Sequence, residues 1–338
     1  MAADLAPRTF AAASGPGLGW LAATVAVTVG APAVAVALAP AGSARAPETL
    51  AVLLFVGSSV HVAATGWFYT VAEVRAHMRR HPARYLWWPL ALITGAGAIA
   101  LLVPWAWLYW LLVPYFGWQF FHYQKQNLGV AALAAAALRV GPLSQTERRA
   151  LVAAGLAGVA ALVARPSLLQ LPVKPVLALA FPAAGLAFAA SVAVGACCLV
   201  RRRPAQRPLG LVVVYLTSLA FSLPIFAFRS PYAAVAGLTI AHGLQYLLLM
   251  GMVAAGGAGG AARLTRVAAL CNVALVGGAL LAVASDRLAA PSATRVLFGL
   301  FLGAVMAHFV VDAGLWRMRD EFPRTFLRAR LAFLTQAS

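Results

Sequence analysis

Residues 292–317 read SATRVLFGLFLGAVMAHFVVDAGLWR, and between Arg295 and Arg317 the single charged side chain is Asp312. A run of about 20 apolar residues, coiled as a helix rising ~1.5 Å per residue, matches the hydrocarbon thickness of a bilayer. A surface helix of a soluble protein pairs its apolar stripe with a polar face, and this stretch has no polar face. It reads as a membrane span, with His308 and Asp312 one helical turn apart inside it.

The same pattern recurs along the chain. Counting apolar runs between charged or Pro/Gly-rich breaks gives ten spans, at approximately 18–40, 49–75, 84–103, 105–138, 147–165, 173–200, 208–228, 232–255, 264–284 and 292–317. Composition agrees: of 338 residues, 63% are hydrophobic and 10% charged, against about a quarter charged in soluble domains. That balance excludes a disordered chain, a disulfide scaffold and a soluble enzyme. The expected fold class is all-α, a polytopic transmembrane helix bundle of about ten spans that forms one domain over residues 1–317. The fourth span carries Pro104 at its start and Pro114 inside, so a tilt, a kink or a division into two elements is expected.

The formal net charge is +18, from 26 Lys and Arg against 8 Asp and Glu. The bases cluster in short loops between apolar runs, where they orient helices and meet anionic headgroups, so no nucleic-acid partner is expected. With the N-terminus inside, 19 bases fall in cytoplasmic segments, among them Arg75, Arg79, Arg80, Arg201, Arg202 and Arg203. Six fall outside, Arg45, Arg165, Lys174, Arg229, Arg287 and Arg295, and Lys125 lies within a span. The asymmetry predicts an even number of spans with both termini cytoplasmic, in a bacterial inner (plasma) membrane. Ala44-Arg45-Ala46 resembles a weak cleavage site, but loss of the first span would spoil the alternation, so that span is expected to stay as an anchor. Residues 318–338 mix Arg319, Arg324 and Arg328 with Phe322, Phe326 and Phe333 and are expected to form a cytoplasmic interfacial tail.

Weaker signals have plain readings. Cys197, Cys198 and Cys271 form no CxxC pair and read as small residues in apolar runs. The run Gly256-Gly257-Ala258-Gly259-Gly260 follows no strand and reads as a loop, not a phosphate cradle. His77 and His81, spaced i, i+4 in the basic stretch from Arg75 to Arg84, read as a solvated interfacial loop in preference to a metal site.

Four histidines remain, His61, His122, His242 and His308, each in a different even-numbered span. Measured from the expected outer span ends at ~1.5 Å per residue, each imidazole lies roughly 15–25 Å deep, so the four can share one layer. A lone intramembrane His serves equally to hydrogen-bond a neighbouring helix, but four at one depth favour a shared site over a packing network. Each has a polar residue at i+4, namely Thr65, Gln126, Tyr246 and Asp312, and Gln119 and Gln245 lie at i−3 and i+3. Such groups hold the second ring nitrogen of a metal-bound imidazole.

An all-imidazole set suits iron, copper or zinc and argues against calcium or magnesium. Asp312 is the only acidic residue deep in a span, too few for a bridged di-iron carboxylate centre. The expectation is therefore one iron on His61, His122, His242 and His308, with Asp312, Tyr246 and Gln126 acting beside it; haem on a pair of these His is the competitor, disfavoured by their common depth. Aromatics crowd the fourth span from Trp105 through Trp107, Trp110, Trp118 and Phe120 to Tyr123, and Trp67, Phe68 and Tyr69 lie in the second. They anchor helices and can wall a slot for an extended apolar substrate. Lys125, Gln126 and Asn127 mark a water-reachable end of that slot.

Three short segments resemble motifs of the Brp/Blh-type membrane β-carotene oxygenases. His308-Phe309-Val310-Val311-Asp312 with Trp316-Arg317 is similar to that family's C-terminal His, acidic residue and basic helix end. Phe120-Phe121-His122-Tyr123-Gln124-Lys125-Gln126 resembles its paired-His segment, with Gln126 where the second His would stand, and Ala241-His242-Gly243 resembles its His-Gly motif. The resemblance implies a four-His non-haem iron. The expected function is an integral membrane metalloenzyme that uses O₂ to oxidise a membrane-dissolved lipid, carotenoid-like, isoprenoid or acyl, with cleavage, hydroxylation and desaturation left open. The alternatives are a haem-binding electron carrier, or a small-molecule or proton-coupled transporter that uses Asp312 and Lys125.

Overall fold

The computed structural model describes residues 19–40, 46–174, 179–257, 259–287 and 291–334. Arg8, Arg45 and the last four residues of the expected tail lie outside the described residues. The helices in chain order are α1 (Gly19–Leu38), α2 (Glu48–Thr70), α3 (Ala72–Arg80), α4 (Ala83–Leu102), α5 (Trp105–Ala137), α6 (Gln145–Ala164) and α7 (Ala180–Arg201). There follow α8 (Leu209–Leu219), α9 (Leu223–Ala227), α10 (Tyr232–Ala255), α11 (Gly260–Ser285), α12 (Ser292–Leu315) and α13 (Glu321–Arg328). Short 3₁₀ turns connect some of them, and no strand occurs among the described residues.

The chain is an all-α, multi-pass membrane-helix bundle. Seven helices among the described residues, α1, α2, α4, α7, α10, α11 and α12, are long and apolar enough to cross a membrane, in place of the ten spans expected from sequence. The other three stretches differ for identifiable reasons. Residues 105–138 form one continuous helix, α5, that keeps Pro114 inside it, and its polar run from Gln119 to Asn127 lowers its apolarity. The helix α6 opens with Glu147-Arg148-Arg149, capped by Ser144 in a reciprocal box with Glu147. Residues 208–228 break at Ala220–Ser222 into α8 and the five-residue α9, where Pro224 occupies the first turn. The stretch 49–75 also ends early, because Val71 turns extended and releases α3 as a separate amphipathic helix. His77 and His81 thus belong to a helix and its end, not to a loop.

Burial sorts the helices. The most enclosed are α10 and α12, followed by α2, whereas α4, α7 and α11 show most of their apolar surface to the outside, as lipid-facing helices do. Between membrane helices there is no hydrophobic driving force comparable to that in water, so close backbone approach through small residues matters. Gly299 and Gly303 of α12 lie against Ala96 and Ile93 of α4, where any Cβ would meet backbone. Gly57 of α2 touches α10, since a Cβ there would come within 2.6 Å of the Ile240 Cα, and Gly243 of α10 lies directly on Gly57. At the basic end Arg202 forks onto Glu147, with Nε to Oε1 at 2.6 Å and Nη2 to Oε2 at 2.7 Å, joining α7 to α6. The tail folds back there too: Phe326, Leu327, Leu331 and Phe333 are buried, and Phe333 stacks on Trp20 at 4.6 Å.

Candidate metal centre

The Gly57–Gly243 contact sets the position of the first two imidazoles. It brings the axes of α2 and α10 together within a turn of His61 and beside His242. The turn just before His61, Val56–Val60, is wound as a π-helix, which shifts the face that the next residues present. Both imidazoles are thereby turned inward, His61 2% and His242 1% exposed.

The four histidines close a ring. Ring centres are 4.9 Å apart for His61 and His242, and 5.1 Å apart for His242 and His122, for His122 and His308, and for His308 and His61. Every neighbouring pair is nearly edge-on, with interplanar angles of 72° to 89°. With metal–nitrogen bonds of about 2.0–2.1 Å, imidazoles adjacent on one ion have centres roughly 4.5–5.2 Å apart, the range observed here. Nitrogens of His61, His242 and His308 lie within 4.8 Å of one another, as do ligand atoms of His122, His308 and Asp312.

The ring is also a concentration of buried nitrogens without partners. Both nitrogens of His61 and of His242, and Nε2 of His122 and of His308, are buried with no hydrogen bond. An orphaned buried polar atom costs about 1–3 kcal/mol, and six in one place need a shared explanation. An ion at the centre accepts one lone pair from each imidazole and accounts for four of them. A helix-packing network does not, because its purpose is to supply the partners that these nitrogens lack.

His308 is held differently. Its Nδ1 is 2.6 Å from Thr65 Oγ1, which is also 2.7 Å from Tyr246 Oη, and Tyr246 donates to Asp312 Oδ1 at 2.9 Å. One arrangement of hydrogens satisfies the three short contacts, with Nδ1–H of His308 donating to Thr65, Thr65 donating to Tyr246 and Tyr246 donating to the carboxylate; the longer contact of Thr65 Oγ1 to Asp312 Oδ1, 3.4 Å, is the alternative destination of the Thr65 hydrogen. It leaves the Nε2 lone pair free to face the other three histidines, as a ligand requires. Asp312 Oδ2, 3.5 Å from Nδ1, reinforces the same tautomer.

The sequence places the i+4 residues as partners of their own histidines, and the structure corrects this at three of four positions. Thr65 serves His308 and not His61, and Tyr246 serves Thr65 and Asp312 and not His242. Gln126 donates to the backbone oxygen of His242 at 2.9 Å and to Gln245 at 3.0 Å, so it fastens α5 to α10 without touching an imidazole nitrogen. Only Asp312 lies beside its own His308. Gln119 donates to Tyr123 Oη at 2.6 Å, and Gln245 to Thr28 Oγ1 of α1 at 2.6 Å. Tyr123, one of the fourth-span aromatics expected to wall the site, stacks on His242 at 4.1 Å, and Phe309, for which the sequence suggested no such role, stacks on His122 at 4.4 Å. Their signal was adjacency, since each directly follows a ring histidine in the chain. Sequence reasoning missed Thr28, which with Thr24 is one of two buried hydroxyl residues in α1.

Comparison with protein-family models, with curated proteins and with solved structures finds no match. The chemistry of the site is therefore argued from its own residues.

Proposed function

We propose that the chain is an integral membrane metalloenzyme, placed in a bacterial inner membrane, that uses O₂ to oxidise a membrane-dissolved lipid. The observation that carries this reading is the ring of four buried imidazoles with six unpartnered nitrogens. Neutral nitrogen ligands favour a first-row ion such as iron, copper or zinc, and iron with open positions is the one suited to oxygen chemistry on an unactivated chain. When bound, such an ion supplies the redox step. The chain's own residues hold it, fix the His308 tautomer through Thr65, Tyr246 and Asp312, and exclude water by stacking Phe309 and Tyr123 on the ring. Four imidazoles packed edge-on at about 5 Å leave no slab for a macrocycle, which argues against haem. Beside the geometry stands the motif resemblance to the Brp/Blh-type oxygenases, which proposes an isoprenoid substrate.

Metal analysis of the purified protein and of four His→Ala variants tests the reading. We expect about one equivalent of iron in the wild type, and at least tenfold weaker binding in each variant. A folded wild type that takes up no transition metal overturns it. A second arm supplies isotopically labelled O₂ to membranes containing isoprenoid and acyl lipids. Loaded, reduced protein that labels none of them overturns the oxygenase reading while leaving the metal site standing.

A further inference from the structure

The four imidazoles are not equally enclosed. His61, His242 and His308 are at most 3% exposed, whereas His122 is partly exposed while its Nε2 stays buried and unpartnered. His122 is therefore the member that connects the interior of the ring to the flank of the bundle. Its stacking partner Phe309 meets the ring of Trp118 edge-on at 5.4 Å, and Trp118 is 39% exposed. The helix α12 packs mainly on α4 and α11, and α5 on α6 and α8, so side chains and not backbone contacts bridge the seam between α5 and α12.

Lys125 lies three residues beyond His122 on the same face of α5 and is exposed. Among the described residues no carboxylate pairs with it. Its depth follows from helix geometry: twenty residues separate it from Trp105, about 30 Å along the axis, which equals the hydrocarbon thickness. With Trp105 at one membrane boundary, Lys125 falls at the other, and His122 lies ~4.5 Å deeper.

We infer that the α5–α12 seam is the lateral route by which a single-chain anionic lipid reaches the ring, its anion on Lys125 and its chain running past His122 and Phe309 toward Trp118. The choice of occupant rests on the proposed lipid oxidation and adds a regiochemistry to it. The carbons brought to the ring are those within about one helical turn, ~5 Å, of the anion, not those at the far end of the chain. The shared chemistry is an anion on an apolar chain, supplied by a fatty-acid carboxylate or by an isoprenyl phosphate.

Photolabelling tests this without requiring turnover. Full-length protein in neutral-lipid vesicles is exposed to three probes with a diazirine near the polar end: a C16 carboxylate, a farnesyl phosphate and a C16 alcohol. Adducts are mapped by mass spectrometry, and metal content is measured on the same samples. We expect one anionic probe to label Trp118–Lys125 and Met306–Ala313 at least fivefold above the alcohol, with the excess lost in K125Q and kept in K125R. The stronger of the two anions names the source. Labelling by the alcohol equal to that by both anions, or unchanged in K125Q, overturns the route and assigns Lys125 to ordinary headgroup contact. Seam labelling in protein that never binds metal keeps the route and sinks only the oxidation chemistry, so the two failures are separable.

Discussion

His308 and His242 stand side by side in one ring and are held by opposite means. His308 is fixed by a hydrogen-bonded partner, Thr65, backed by Tyr246 and Asp312. His242 has no partner on either nitrogen and is fixed by packing, clamped under Tyr123 and bounded by the Gly57–Gly243 backbone contact. Hydrogen bonding specifies which nitrogen carries the proton; packing specifies only where the ring lies. The ring thus contains one imidazole whose tautomer is set in advance and others free to take the tautomer that an ion demands.

Breaking the partnered side has the largest expected effect. Thr65→Val keeps the shape but removes the hydroxyl, and we expect metal affinity to fall 10- to 100-fold. Thr65→Ser restores most of it, a rescue that a purely space-filling role for Thr65 does not predict. On the packed side, Gly243→Ala forces α2 from α10, and the expected cost is about 1–3 kcal/mol of stability with a wider His61–His242 spacing. Chemical denaturation in detergent measures the first effect, and the ligand-field spectrum of the loaded site the second. A smaller change follows from Tyr123→Leu, which loosens His242 while leaving every imidazole hydrogen bond intact. We expect affinity to drop less than tenfold with no change in its pH dependence, and a drop as large as that of Thr65→Val would erase the distinction between the two sides.

A third means of holding an imidazole occurs outside the spans. His77 stacks flat on Phe322 at 4.1 Å and lies 4.5 Å from His81. Burial, then His81, Arg80 and Arg84, lower its pKa from the usual value of 6.5, against an opposing pull from Asp320. Because the folded form resists protonation more than the released form, docking of α13 is strongest above pH 6.5 and weakens as pH falls below it. Hydrogen exchange in α13 is expected to quicken modestly between pH 7.5 and 5.5, and His77→Gln to remove that dependence. An unchanged rate would show that stacking alone governs the contact.

The membrane-helix class and the four histidines were legible because polar side chains inside apolar runs are rare, so His61, His122, His242 and His308 stand out against their surroundings. The partners were not legible, because i+4 spacing sees one helix at a time. Thr65 reaches across to α12 only because a π turn and a 3₁₀ turn re-aim the end of α2, and neither leaves a mark in hydropathy. The span count failed for a related reason. Apolarity marks what lipid touches, whereas the polar run of α5 and the charged start of α6 are tolerated by neighbouring helices, with Gln124 donating to Leu151 and Ser218 carbonyls at 2.9 and 3.3 Å. The seven helices that satisfy both length and apolarity are the more conservative reading of the same chain.

The ring draws its members from α2, α5, α10 and α12, which are dispersed over nearly the whole chain. During synthesis two imidazoles are inserted first, a third with α10, and the last together with Asp312 on α12. The residue that fixes the His308 tautomer, Thr65, is inserted long before the ring it serves and waits for a partner 243 residues further along the chain. A truncated or stalled chain therefore reaches the membrane without a complete set of ligands. The ring closes only once α12 is seated, and a polypeptide cut short upstream of α12 carries at most three of its four imidazoles into the bilayer.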